Sequence, residues 1–206
     1  MKHTSRLPFI GITGGIGAGK STVLSFIEKN YNACIVRADD VAKDLIKKGT
    51  PTYEKICEAF SGLDIFEESG EFDRNKLSKV IFTDINMLQT IDNIVHPAVK
   101  ERVKEIFHEE DLKENYDYFF LEAALLIEEH YDEICDELWY IYASEDTRRA
   151  RLKESRGYTD EKITGIFSNQ QGENVFRTKC KKVINNDGDL AVCEKEISTA
   201  IDGIRH

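Results

Sequence analysis

The sequence predicts an α/β protein: a five-stranded, mostly parallel sheet with helices on both faces, a helical insertion and a helical lid. Three observations predict this. Short β-branched or aromatic runs alternate with stretches of helical period, the pattern of a sheet whose strands are joined by helices. A stretch that is half glycine joins the first such run to the first helix. A long middle segment carries helical spacing with no strand signal.

Taken in order, "FIGIT" (9–13) is a short apolar run, and "KSTVLSFIEKN" after the glycines places Val23, Phe26 and Ile27 three and four apart. "ACIVR" (33–37) reads as a second strand. "ADDVAKDLIKKG" follows as a helix, with Asp39 or Asp40 expected at its N-cap and Gly49 beyond its end. Between about 52 and 115, "YEKICEAF", "NKLSKVIFTDINMLQTIDNI" and "AVKERVKEIFHEE" repeat at helical spacing, with His96-Pro97 expected to open a helix. The alternation then resumes with a strand over 116–122, a helix over "AALLIEEHY", a strand over 137–143 and a helix ending at Gly157. A helix over "DEKITGIFSNQ", the strand "KKVINN" and a final amphipathic helix complete the chain. The expected division is a core of residues 1–51 and 116–206, with a lid at about 148–171, and an inserted lobe of residues 52–115.

The 206 residues suit one compact domain with an insertion or two small lobes. Five widely spaced cysteines, an odd number without a Cys-x-x-Cys pair, point to reduced thiols in the cytoplasm. The apolar run before the first glycines is too short for a targeting segment, and Glu122 interrupts "YFFLEAALLI", so no membrane association is expected. A net charge of −10 argues against nucleic-acid binding, which needs a basic footprint. Residues 146–182 nevertheless hold ten Lys/Arg against five Asp/Glu, and that basic quarter reads either as a solvated helical face or as a surface for an anion.

The glycines decide in favour of the anion. Gly14-Gly15-Ile16-Gly17-Ala18-Gly19-Lys20-Ser21 is the P-loop pattern, with a strand before it and a helix after it. Such a loop turns backbone N–H groups inward on a phosphate, aided by the positive end of the helix. Lys20 then reaches the β/γ-phosphates, Ser21 completes the coordination of Mg2+, and Thr22 continues the loop's contact with ATP. A guanine-binding switch is excluded: Asn75-Lys76-Leu77-Ser78 lacks the reader's final aspartate, and no aspartate stands three residues before a glycine. A phosphate loop, a helical insertion and an arginine-rich helix together describe a small-molecule kinase with a mobile basic lid. On the acceptor side, transfer to an alcohol needs a strand-end carboxylate. Asp39 is the candidate, with Asp40 competing and a plain helix cap as the alternative. Glu122 ends the next central strand and is a candidate magnesium supporter. His96 is an acceptor-lobe contact or simply a structural histidine.

These residues resemble the dephospho-coenzyme A kinase family over about residues 8–200. The resemblance rests on "IGITGGIGAGKST", "RADDVAKDL", "VHPAV", "EAALLIEE", Arg151-Leu152, Arg156-Gly157, Gln170 and "VINNDG". It implies transfer of the ATP γ-phosphate to the ribose 3′-hydroxyl of dephospho-CoA by a monomer or small homo-oligomer. Asp39 is then general base or magnesium partner, Leu125 and His96 join it in holding the acceptor, and the 52–115 helices bind CoA. Arg148, Arg151 and Arg156 lie in the lid over ATP, and Asn186 lines the adenine pocket. Arg37, Ala124 and Lys181 depart from the family pattern, and the second lid arginine falls one place late, at 156. Another small-molecule kinase and a non-catalytic nucleotide-binding regulator are the competing readings.

Overall fold

The computed structural model describes residues 7–204. Five strands form one sheet in the order β2-β3-β1-β4-β5, comprising β1 (Phe9–Thr13), β2 (Ala33–Arg37), β3 (Tyr118–Glu122), β4 (Glu137–Tyr142) and β5 (Lys182–Asn185). β1 pairs in parallel with β3, in register Ile10 to Phe120, and with β4, in register Ile12 to Trp139; β4 pairs in parallel with β5. Every residue of β1 is buried, as a central strand covered on both faces requires. The chain leaves β1 toward β2 on one side and later builds β4 and β5 on the other. The loop after β1 therefore opens at the carboxyl-end crevice where ligands bind such sheets.

The described residues form two compact units, 7–36 with 107–204 and 37–106. In the first unit the period-2 alternation of the strands builds two cores. Ile10, Ile12, Phe120, Trp139 and Ile141 pack with Leu24 and Ile27 of α1 (Lys20–Asn30) and with Ile197 and Ile201 of α9 (Leu190–Asp202). The intervening residues face the other way. There Phe9 stacks on Phe107 at 4.7 Å, near the end of α5 (Ile85–Lys113), and Tyr140 stacks on Phe176 of α8 (Glu173–Lys179) at 4.7 Å.

The second unit holds α2 (Ala38–Leu45), α3 (Pro51–Ala59), α4 (Arg74–Thr83) and the larger part of α5. Its core gathers Tyr53, Ile56, Phe60, Ile65, Phe72, Leu77 and Ile91. A single bridge between Phe66 and Phe72 closes the α3–α4 loop.

Four local expectations are corrected. α2 begins at Ala38 with Arg37 as its N-cap, so Asp39 and Asp40 lie in its first turn, where their charge favours the helix without capping it. Pro97 lies inside α5 rather than opening it. Its missing N–H withdraws the donor the Asn93 carbonyl would take, but buried Ile91, Val99 and Val103 anchor the helix on both sides. "AALLIEEHY" forms turns and a short 3-10 segment at Tyr131–Glu133. The Ala123 amide donates to Ile12 O and the Thr13 hydroxyl to Ala124 O, which pins the segment to β1, and His130 adopts a left-handed φ of 53°. Finally, α8 fills a stretch where the sequence carried no helix signal, held by the Phe176 ring.

Candidate active site

The glycine loop is shaped by its own backbone and by two later parts of the first unit. Gly14, Gly17 and Gly19 have φ of 150°, 80° and 88°, and Gly19 ends the loop in the left-handed region as the N-cap of α1. The loop carbonyls are tied back. Lys20 Nζ donates to Gly14 O at 2.9 Å and the Ala18 amide donates to Gly15 O at 3.1 Å. Arg151 Nη1 donates to Ala18 O at 3.3 Å and to Gly17 O at 3.5 Å, and Asn186 Nδ2 donates to Ala18 O at 2.8 Å. In a trans peptide the N–H opposes the carbonyl, so fixing these oxygens turns the following amides the other way, as an anion nest.

The same contacts explain why glycine is needed beyond its φ freedom. A Cβ on Gly15 would overlap the Arg148 guanidinium, and one on Gly19 would overlap the Asn186 carboxamide; on Gly17 it would meet Arg148 O at 2.9 Å. Gly19→Ala is therefore expected to lower stability by at least about 2 kcal/mol, combining left-handed strain with overpacking. A thermal melt checks this, and an unchanged melting temperature would mean that the loop relaxes away from Asn186.

Arg148 and Arg151 belong to α6 (Glu145–Arg156) and, three residues apart, share a face. Arg156, five residues past Arg151, points elsewhere; it is exposed and stands 5.9 Å from the Tyr158 ring. Lys20, Arg148 and Arg151 thus converge at the loop, and Arg156 does not. Asn186 is 4 % exposed, and its backbone is held on both sides: its amide donates to Tyr142 O at 2.7 Å and its carbonyl accepts from Arg151 Nη2 at 2.8 Å. Next to it, the hydroxyls of Thr147 and Ser144 and the Ser144 amide hold the Asp187 carboxyl below the ordinary aspartate range. Ile16 and Ala18 complete the loop between its glycines, with Ala18 fully buried. Ser21 and Thr22 are exposed in the first turn of α1. Leu125, just past the end of β3, is 42 % exposed.

Glu122 Oε1 lies 3.7 Å from Lys20 Nζ at the end of β3. Among the described residues no three His, Cys, Asp or Glu side chains gather as a metal cage. A hydroxyl and a carboxylate beside a phosphate loop instead suit a hard cation held mostly by phosphate and water oxygens.

The second unit separates two acidic neighbours. Lys43 Nζ pairs with Asp40 at 2.6 Å and holds that carboxyl below its ordinary value, while Asp39 is exposed and enters no such pair among the described residues. His96 Nε2 faces Asp92 Oδ1 at 3.5 Å, one turn earlier in α5.

The dephospho-CoA kinase family profile matches residues 8–192. This chain belongs to the dephospho-CoA kinase family. It is 33% identical over 196 residues to a dephospho-CoA kinase of Carboxydothermus hydrogenoformans, covering 95% of this chain and 93% of that one. It is 34% identical to one of Bacillus anthracis over 88% of this chain and 89% of that one. In fold it resembles a crystal structure from Thermus thermophilus, with TM-score 0.80 and 24% identity over 97% of this chain and 98% of that one. It also resembles the dephospho-CoA kinase of Campylobacter jejuni, with TM-score 0.70 and 21% identity over 95% and 96% of the two chains. Family membership makes the chain an ATP-dependent kinase of a small-molecule substrate.

Two side chains at the loop escaped the sequence reading of roles. Phe167, in α7 (Asp160–Ser168), lies under the Arg148 guanidinium, and nothing in the sequence separates it from an ordinary core aromatic. Gln170 carries part of the family resemblance, but only the fold shows that it meets Arg148. The Lys181 departure also finds its partner in space: its ammonium bonds Glu137 across the β4–β5 edge at 2.5 Å.

Proposed function

We infer that this protein transfers the γ-phosphate of ATP to the ribose 3′-hydroxyl of dephospho-CoA, yielding coenzyme A and ADP in the final step of coenzyme A synthesis. The observation that carries this is a phosphate loop with its carbonyls tied back and three cations beside it, in a chain of this family. The amides of Gly15 to Thr22 cradle the phosphates, and Lys20 meets the charge that develops on the transferring group. Arg148 and Arg151 approach from the lid at about 148–171, and Arg156 reaches ATP only as that lid closes. Asn186 shapes the adenine side of the pocket.

The acceptor is held by the helical lobe of residues 52–115 together with Leu125, His96 and Asp39. Asp39 is favoured over Asp40 because Lys43 already occupies the latter. The acceptor 3′-oxygen forms a bond to the γ-phosphorus as the bond from that phosphorus to the bridging oxygen of ADP breaks, and the hydroxyl proton passes to Asp39. Ser21, Glu122 and Asp39 offer the oxygens that would support Mg2+, which when bound neutralises charge on the phosphates. The reaction needs neither nucleic acid nor a membrane, and among the described residues no helix is long and apolar enough to cross one. The protein acts in the cytoplasm as a monomer or small homo-oligomer.

The direct test follows ADP release with Mg-ATP and dephospho-CoA, locates the new phosphate by mass and NMR, and offers adenosine, AMP and shikimate as alternative acceptors. Turnover on dephospho-CoA alone, with phosphate on the 3′-oxygen, is expected. Transfer to another acceptor in its place would make this a different small-molecule kinase.

A further inference from the structure

We propose that Gln170 and Phe167 are positioning residues that hold the Arg148 guanidinium over the phosphate loop, so that the loop's arginine is aimed by the segment running from α7 into α8. This rests on the reading of Arg148 as a nucleotide contact.

The geometry is specific. Arg148 Nη1 donates to Gln170 Oε1 at 3.1 Å, and the guanidinium carbon lies 4.2 Å from the centre of the Phe167 ring. The same Nη1 end of the group lies against Gly15, where a side chain would displace it. Its Nε is buried with no acceptor, so among the described residues Gln170 is the one group that accepts a hydrogen bond from this side chain. A long arginine left to itself samples many rotamers, and ordering it costs entropy at the moment of binding. A ring beneath the plane and an acceptor at one tip remove that freedom beforehand.

Arg148 is anchored by α6, while both groups that aim it come from the next segment of chain. That segment is fastened to α6 independently. Asp160, at the start of α7, bonds Lys153 at 2.7 Å and Arg149 at 3.2 Å, and the Arg149 guanidinium also reaches the Thr164 hydroxyl at 3.3 Å. Loss of Gln170 therefore leaves α7 docked and alters only where Arg148 points.

The test is a double-mutant cycle on steady-state kinetics. Gln170→Ala and the better volume match Gln170→Met, which also lacks the acceptor, are expected to lower kcat/KM for ATP about tenfold, the effect of one hydrogen bond to a charged group. The KM for dephospho-CoA and the melting temperature should stay unchanged. In an Arg148→Ala background the same substitutions should change kcat/KM for ATP less than twofold, because the group they aim is gone. Phe167→Leu, which keeps apolar bulk without the ring, should behave likewise in both backgrounds. Equal losses with and without Arg148, or no loss in the wild-type background, would overturn the proposal while leaving Arg148 as a nucleotide contact. An Arg148→Ala protein with unchanged kcat/KM would overturn the reading beneath it as well.

Discussion

Lys20→Ala is expected to lower kcat by about 10²–10³-fold, the range found when one preorganised donor to a developing charge is removed. The ammonium is the only part of the side chain that the chemistry uses, and in the resting protein it is held ready by Gly14 O at 2.9 Å and Glu122 at 3.7 Å. The loop should survive its loss, because Arg151 and Asn186 secure the carbonyls of Gly17 and Ala18 without it. ATP binding by the backbone amides should therefore persist, weakened by less than the rate. Rapid-quench measurement of the first turnover, beside calorimetry of ATP binding, separates the two effects. A rate loss under tenfold would remove Lys20 from the transfer step.

The second large effect is expected at Asp39. Asp39→Asn keeps the shape of an exposed side chain in the first turn of α2 and removes only its charge and basicity. General-base losses run to about 10²–10⁴-fold, and the loose transition state of phosphoryl transfer places this one near 10². ATP affinity should hold within about twofold, since the side chain acts on the acceptor. Asp40→Asn is the matched control. Its carboxylate is already engaged by Lys43, so turnover should remain near wild type. A Mg2+ titration of Asp39→Asn then separates its two possible tasks: loss of a base leaves the half-saturating Mg2+ concentration in place, and loss of a magnesium partner raises it. Equal falls in rate and ATP affinity, or a larger effect at Asp40, would move the acceptor-side role elsewhere.

The interior expectations that failed share a cause. Helical period over 123–131 predicted a helix, but the residues that follow a central strand must first satisfy that strand's neighbours. The Ala123 amide is spent on Ile12 O, which carries the chain on along β1, and the Thr13 hydroxyl takes the Ala124 carbonyl, which a first helical turn would use. Pro97 predicted a helix start because proline suits that position, yet buried side chains before and after it outweigh one missing hydrogen bond. The helix of residues 173–179 gave no local signal, because it is held by a ring stacked on a strand reached more than thirty residues earlier in the chain.

The sequence by itself determined the alternation of strands and helices, the phosphate loop and its lysine, and the family. These are written in local spacing: period, caps, and glycines at fixed offsets from Lys20. Only the tertiary structure decided which arginines reach the loop. Arg148, Arg151 and Arg156 are equivalent as letters, but the first two meet the glycine loop in space, while the third lies at the far end of α6 beside Tyr158. It also decided that Asp40 is occupied and Asp39 is not, and that Gly15 and Gly19 are glycine partly because an arginine and an asparagine lie where their side chains would be. The contacts of Gly15 and Gly19 join residues more than a hundred positions apart, which no window of sequence contains, whereas the Asp40–Lys43 pair lies three residues apart in one helix and only its geometry comes from the fold.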